Sequence, residues 1–171
     1  GLDYFEDQNG GFADGYFPMT VSNSHNQRVS AAIAYLDEAV RTRKNLTILS
    51  NTTVKYIVFD GRKAMGVRVN NKGKDETYFG HEIVISAGAS HSPAILMRSG
   101  IGPAESLKEI DIDVICDRRG VGENLQDHPG VPTMAYIIPS SRHGANKGPA
   151  LQVGARYSSD VAGCAPNDMF I

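Results

Sequence analysis

Tryptophan is absent from the 171 residues, and cysteine occurs only at Cys116 and Cys164. Two cysteines cannot build a disulfide framework, and no paired Cys/His spacing of a zinc site accompanies them. Both read as reduced structural thiols, and no metal site is expected. Neither sign of charge dominates: 17 Lys and Arg stand against 19 Asp and Glu, a formal net charge of -2. The clustered cations that nucleic acid or an anionic membrane would demand are missing. No apolar run approaches the roughly 20 residues of a bilayer-spanning helix, and no signal peptide opens the chain. A cytoplasmic setting is the default expectation. Repeats and low-complexity tracts are also lacking.

What is present is an ordinary globular composition, 41% hydrophobic and 21% charged, with length enough to bury a core. Residues 1–27, rich in Gly, Asn, Asp and Ser, read as an irregular segment covering something else. Val29, Ile33, Leu36 and Val40 recur at helical spacing, and Arg41, Arg43 and Lys44 crowd the last turn, so an amphipathic helix is predicted over 28–43. Short strands follow at 46–49, 54–59, 64–69 and 76–79. Asp60-Gly61 between the second and third predicts a type I′ hairpin turn, and Asn70 to Gly73 a further turn, making a three-stranded meander. Glu82 to Gly88 is continuously apolar at its centre and predicts a strand buried on both faces. Ser92 and Pro93 then read as N-cap and N1 of a helix that ends at Gly100, a C′ glycine. Pro103 opens another helix with Leu107 and Ile110 inward. Strands are predicted at 112–116 and 131–138, with a polar turn from Gly120 to Pro129 between them. Residues 139–150 read as a loop, and the apolar run Met169 to Ile171 as a strand beginning. The pattern is α/β, with an antiparallel meander inserted before a buried strand.

The stretch Gly88-Ala89-Ser90-His91-Ser92-Pro93-Ala94-Ile95-Leu96-Met97-Arg98-Ser99-Gly100-Ile101-Gly102 resembles the second signature of the glucose–methanol–choline oxidoreductases. Arg28-Val29-Ser30-Ala31-Ala32, Phe59-Asp60-Gly61, and Gly120-Val121-Gly122 with Asn124-Leu125-Gln126-Asp127-His128 agree in order. The chain is most similar to bacterial members resembling choline dehydrogenases and pyridoxine oxidases. This resemblance implies an FAD-binding domain of the glutathione reductase or p-hydroxybenzoate hydroxylase kind, leading into a substrate domain. Residues 1–27 would be a covering segment, 28–130 the central part of the FAD domain, and 131–171 the start of the substrate domain. The first residue, Gly1, and the last apolar run suit a middle portion of a longer enzyme. The phosphate-binding GxGxxG turn and the catalytic histidine of the family are expected outside these residues.

The implied reaction is oxidation of a small-molecule alcohol at its CH–OH group, with hydride passing to FAD. The implied cofactor contacts are Val54, whose backbone would hold the adenine, and Ala87 and Gly88, whose small side chains would let the cofactor approach the backbone. Against these stand plainer readings: an ordinary meander valine, and a glycine required by a tight turn. His91 reads as structural, and His128 as part of a hydrogen-bonded loop. Gly120 to Gly122 reads as a turn, and Arg118 with Arg119 as a solvated pair. No catalytic residue is assigned within the chain. Two alternatives remain open: a lyase of the same fold that holds FAD without redox chemistry, as in hydroxynitrile lyase-like proteins, and a truncated, non-catalytic piece.

Overall fold

The structure, a computed structural model, describes residues 1–24, 27–132, 136, 138–141 and 152–171. Its first elements are strands β1 (Asp3–Tyr4), β2 (Gly15–Pro18), β3 (Asn23–Ser24) and β4 (Gln27–Arg28), then helices α1 (Ala31–Tyr35) and α2 (Glu38–Arg41). Next come β5 (Thr52–Asp60), β6 (Lys63–Asn71), β7 (Lys74–Phe79), α3 (Gly88–Arg98), β8 (Ile101–Gly102), α4 (Ala104–Glu109) and β9 (Cys116–Asp117). A 3-10 turn at Pro139–Ser141 and strands β10 (Val153–Tyr157) and β11 (Met169–Phe170) complete the order. The chain divides into two compact units, Thr47–Thr133 and Gly1–Leu46 with Met134–Ile171. This mixture of helices and antiparallel sheets is the α/β class that the pattern predicts.

In the unit Thr47–Thr133, β5, β6 and β7 form the expected antiparallel meander. Its first turn is shifted by one residue from the predicted one. Asp60 pairs with Lys63, so the turn residues are Gly61 and Arg62. Gly61 alone of the two has positive φ, +56°. That is the φ pattern of a type II′ turn, and it needs an unhindered residue only at its first position. The type I′ pattern appears in the second turn, where Lys72 (+49°) and Gly73 (+90°) both have positive φ.

Helix α3 covers the free edge of β5. The register slips between Val54 and Tyr56, leaving Lys55 as a bulge. The Lys55 carbonyl accepts a hydrogen bond from Arg98 Nε at 2.7 Å. The Ile57 N–H donates to Ser99 Oγ at 2.8 Å, and that hydroxyl donates to the Ile95 carbonyl at 2.6 Å. Edge groups that would otherwise invite another strand are thereby satisfied. Ile57, Val69, Ile95 and Leu107 are the buried apolar side chains of this unit.

Several expected elements change for lack of partners. The segment 82–88 is not a paired strand: it makes no ladder, and Val84 is 76% exposed. A strand buried on both faces needs neighbours on both edges, and no described segment supplies them. Its last residues, Ala87 and Gly88, instead begin α3. Ser92 lies inside that helix rather than at its cap. Its Oγ reaches back to accept from the Ala87 N–H at 2.9 Å. Pro93 is likewise internal, costing the bond its N–H would have made to Ala89. Gly100 does end the helix, with φ +82°. Ile110 is 64% exposed rather than inward, whereas Leu107 is buried as expected. Residues 46–49 form no strand. The predicted strand 112–116 shrinks to β9, which pairs in parallel with β8. Part of the predicted strand 131–138, and most of the loop 139–150, lie outside the described residues.

In the other unit, the described residues of 1–27 are less irregular than their composition suggests. Strand β2 pairs antiparallel with β10, and the sheet order is β1-β2-β10-β11. Phe17 is fully buried and packs on Phe170, ring centroids 5.8 Å apart. Arg156 is 8% exposed and donates to the carbonyls of Gly11 and Gln8 at 2.8 and 3.0 Å. Its guanidinium also lies over the Phe12 and Phe17 rings at 4.9 and 5.2 Å, within cation–π range. The predicted helix 28–43 breaks into α1 and α2 because Asp37 caps a new start, accepting from Val40 N–H at 2.8 Å. The apolar side of α1 is open, with Ile33 47% exposed. Asp168 accepts from both the N–H and the hydroxyl of Ser159, which holds its carboxyl below the usual carboxylate range.

Replacing Ser99 with alanine strands the buried Ile57 N–H, and an unsatisfied buried donor costs about 1–3 kcal/mol. Ser99→Ala in the full-length protein is expected to lower the denaturant midpoint accordingly and to speed hydrogen exchange at Ile57. An unchanged midpoint would refute this account of the β5 edge.

Candidate cofactor cleft at the start of helix α3

The chain turns into α3 through a backbone that a side chain would oppose. Gly88 has φ +87°, and a Cβ added there would meet nothing within 4 Å. Its neighbours Ala87, Ala89 and Ser90 are small and exposed. The first N–H groups of a helix lack intrahelical partners and carry the positive end of its dipole. Here the Ala87 N–H is taken by Ser92, and among the described residues no side chain caps the N–H groups that follow. A polar or anionic group can approach such a surface closely.

Beside this turn lies a cleft of about 570 Å³. One wall is Ala89, Ser90, Pro93 and Met97 of α3, and the other is Gly122 to Gln126. Two amide residues, Asn124 and Gln126, one carboxylate, Glu123, and two apolar residues, Leu125 and Met97, therefore line one space with small residues of α3. That volume and mixture suit part of a cofactor rather than a large substrate.

The predicted site residues do not all gather here. Ala87 and Gly88 stand together at the head of α3. Val54 sits on β5 opposite Val69 and next to Lys55, whose carbonyl is held by Arg98 at the other end of the helix. Eleven residues of α3 separate these ends, about 16 Å at the helical rise. His91 is exposed in the first turns of α3, and His128 is exposed with its N–H bonded to Asp127 Oδ1 at 2.8 Å. Gly120 to Gly122 is a turn, and Arg118 and Arg119 are exposed. Cys116 is half-buried near Arg62, and Cys164 is exposed; both are free thiols. Among the described residues no group of three His, Cys, Asp or Glu could hold a metal ion, and no helix is long and apolar enough to cross a membrane.

Met97, Asn124 and Gln126 line the cleft without a local signal that marks them: 124–128 reads as a polar run around its histidine, and Met97 as one apolar residue on a helix face.

The family model for GMC oxidoreductases matches residues 2–130. The chain is 39% identical to the 5-(hydroxymethyl)furfural oxidase of Methylovorus sp. (strain MP688), over 100% of this chain and 33% of that protein. It is 37% identical to the oxygen-dependent choline dehydrogenase of Pectobacterium atrosepticum, over 96% of this chain and 30% of that one. It thus spans a third or less of the length of these curated relatives. Among solved structures, pyridoxine 4-oxidase from Mesorbium loti superposes with a TM-score of 0.65 at 38% identity, covering 68% of this chain and 23% of that one. An FAD-dependent oxidoreductase from Chaetomium thermophilum gives 0.69 at 34% identity, covering 74% and 23%.

The run Ser99-Gly100-Ile101-Gly102 lies within the matched residues and has a packing explanation. Ser99 clamps the meander edge. A Cβ on Gly100 would come within 2.4 Å of the Asp113 carbonyl oxygen, and one on Gly102 within 2.9 Å of Met97 Cγ. Ile101 pairs with Cys116 across β8 and β9. Gly100→Ala combines this backbone clash with a left-handed φ, so a loss of about 3 kcal/mol or more is expected. Thermal unfolding of the full-length variant measures it; a shift within 1 °C of wild type would contradict the assignment.

Proposed function

The chain belongs to the GMC oxidoreductase family, and from that membership we propose that it forms part of the FAD-binding domain of an enzyme that oxidises a small-molecule alcohol. The observation that carries this reading is the exposed, glycine-led start of α3 beside the cleft. Gly88 leaves room for a cofactor to lie against the backbone, and the free N–H groups behind it suit oxygen-rich parts of a dinucleotide. When bound, a flavin supplies the acceptor for the hydride that leaves the carbinol carbon.

Within this reading, Ala87 and Gly88 act by being small and Val54 by its backbone, and residues 28–130 are the central part of the FAD domain. Residues 131–171 begin the substrate domain. His91 and His128 hold no proton-transfer role. The relatives named as a furfural oxidase and a choline dehydrogenase support an alcohol-type donor over the lyase alternative.

Gly88→Leu tests the cofactor site. Leucine at positive φ costs on the order of 1–3 kcal/mol, so a control must carry the same strain elsewhere. Gly61→Leu, at φ +56° with open space around it, serves. The full-length Gly88 variant is expected to be purified with less than about a tenth of the wild-type flavin, a change worth about 1.4 kcal/mol in binding, while Gly61→Leu keeps its flavin. Equal flavin in both variants would sink the assignment. Oxidation itself is tested by anaerobic addition of alcohols to the full-length holoprotein: bleaching of the flavin is expected with a turned-over alcohol, and a lyase would show none.

A further inference from the structure

We propose that Met97 is a positioning residue that sets the width of the cleft by holding its second wall at a fixed distance from α3. The proposal rests on the reading of that cleft as a cofactor site. Met97 is half-buried and lines the cleft. Its side chain bridges two glycines. A Cβ on Gly102 would lie 2.9 Å from Met97 Cγ, whereas one on Gly122 would lie 3.3 Å from Cε and 3.8 Å from Sδ. The root of the side chain thus occupies the space left by Gly102, and its thioether tip the space left by Gly122. Gly102 is fixed through β8 and through its carbonyl, which accepts from the Arg118 N–H at 2.8 Å. Gly122 opens the wall that runs to Gln126.

That wall has little else to place it. The Glu123 N–H donates to Gly120 at 3.4 Å, a bond within the turn itself. Among the described residues, Asn124, Leu125 and Gln126 make no hydrogen bond to α3, and Leu125 is 68% exposed. Contact with the Met97 tip is therefore a side-chain tie that relates the two walls, beside the backbone path through Arg118. A flexible thioether suits a gap between two glycines, because its three rotatable bonds let it follow an irregular space. Truncation at residue 97 removes the tip and lets Gly122 to Gln126 drift. The bound group then loses simultaneous contact with both walls, although neither wall has lost a polar group.

The test is FAD titration of the flavin-stripped full-length protein by fluorescence quenching, with visible circular dichroism of the rebound flavin. The variants are Met97→Ala, Met97→Leu, Gly88→Leu and Leu107→Ala, the last emptying a buried site that packs on Gly102 beside Met97 but does not line the cleft. Met97→Ala is expected to raise the FAD Kd about tenfold and to change the flavin dichroism. Met97→Leu, which conserves volume, should stay within about threefold of wild type, and Leu107→Ala should lower thermal stability without moving the Kd. Should Met97→Ala fail to fold, Met97→Val provides the same comparison. A wild-type Kd in Met97→Ala, alongside flavin loss in Gly88→Leu, overturns the proposal and leaves the cofactor site standing. Equal weakening by Met97→Ala and Leu107→Ala overturns it as general loosening. Unchanged FAD binding in both the Met97 and Gly88 variants overturns the cofactor reading and this proposal with it.

Discussion

The hydroxyl of Ser99 accepts the Ile57 amide hydrogen and donates its own to the Ile95 carbonyl, and the unit Thr47–Thr133 is organised around that relay. It satisfies a buried edge group of the meander and adds a second bond to the Ile95 carbonyl, which already accepts the Ser99 N–H at 3.1 Å. Nearby, Arg98 reaches the carbonyl freed by the Lys55 bulge. A helix and a sheet that meet only through apolar contact could slide past one another. These directional bonds hold them in one register.

Everything that faces the cleft follows from that register. With the C-terminal turn of α3 held on β5, Gly88 at the other end of the helix has open space where a Cβ would stand. The chain then returns through β8, α4 and β9, and Gly120 to Gln126 comes back alongside the helix. The close approach of β8 to α3 at Gly102, and of the returning turn at Gly122, depends on the missing Cβ atoms at both positions. The cleft is thus a product of packing at the far end of the helix, and its lining residues come from segments about 30 positions apart.

The second unit uses a different device. Arg156 binds two carbonyls of the segment 8–11 and two phenylalanine faces, so a cation organises a loop that has little apolar content of its own. Elsewhere, apolar side chains stay uncovered, Ile33 of α1 and Val84 of the segment before α3 among them. Burying such faces takes partner surfaces that these residues do not supply to one another, and the named relatives are about three times as long as this chain.

Local pattern by itself determined the meander, the helix stop at Gly100, the inward Leu107 and the strand at Met169, because alternation, turn chemistry and capping act over a few neighbouring residues. A long motif with small residues at set positions was enough to indicate the family. Only tertiary structure decided that Glu82 to Ser86 stays unpaired, since a strand exists only with a neighbour to bond. It also decided that β2 finds its partner in β10 about 140 residues away, and that Val54 and Gly88 stand toward opposite ends of α3. Met97 and Gln126 face one cleft for the same reason: their nearness comes from a chain that leaves the helix, makes a two-residue parallel ladder and returns, and no local periodicity encodes a distance of that kind.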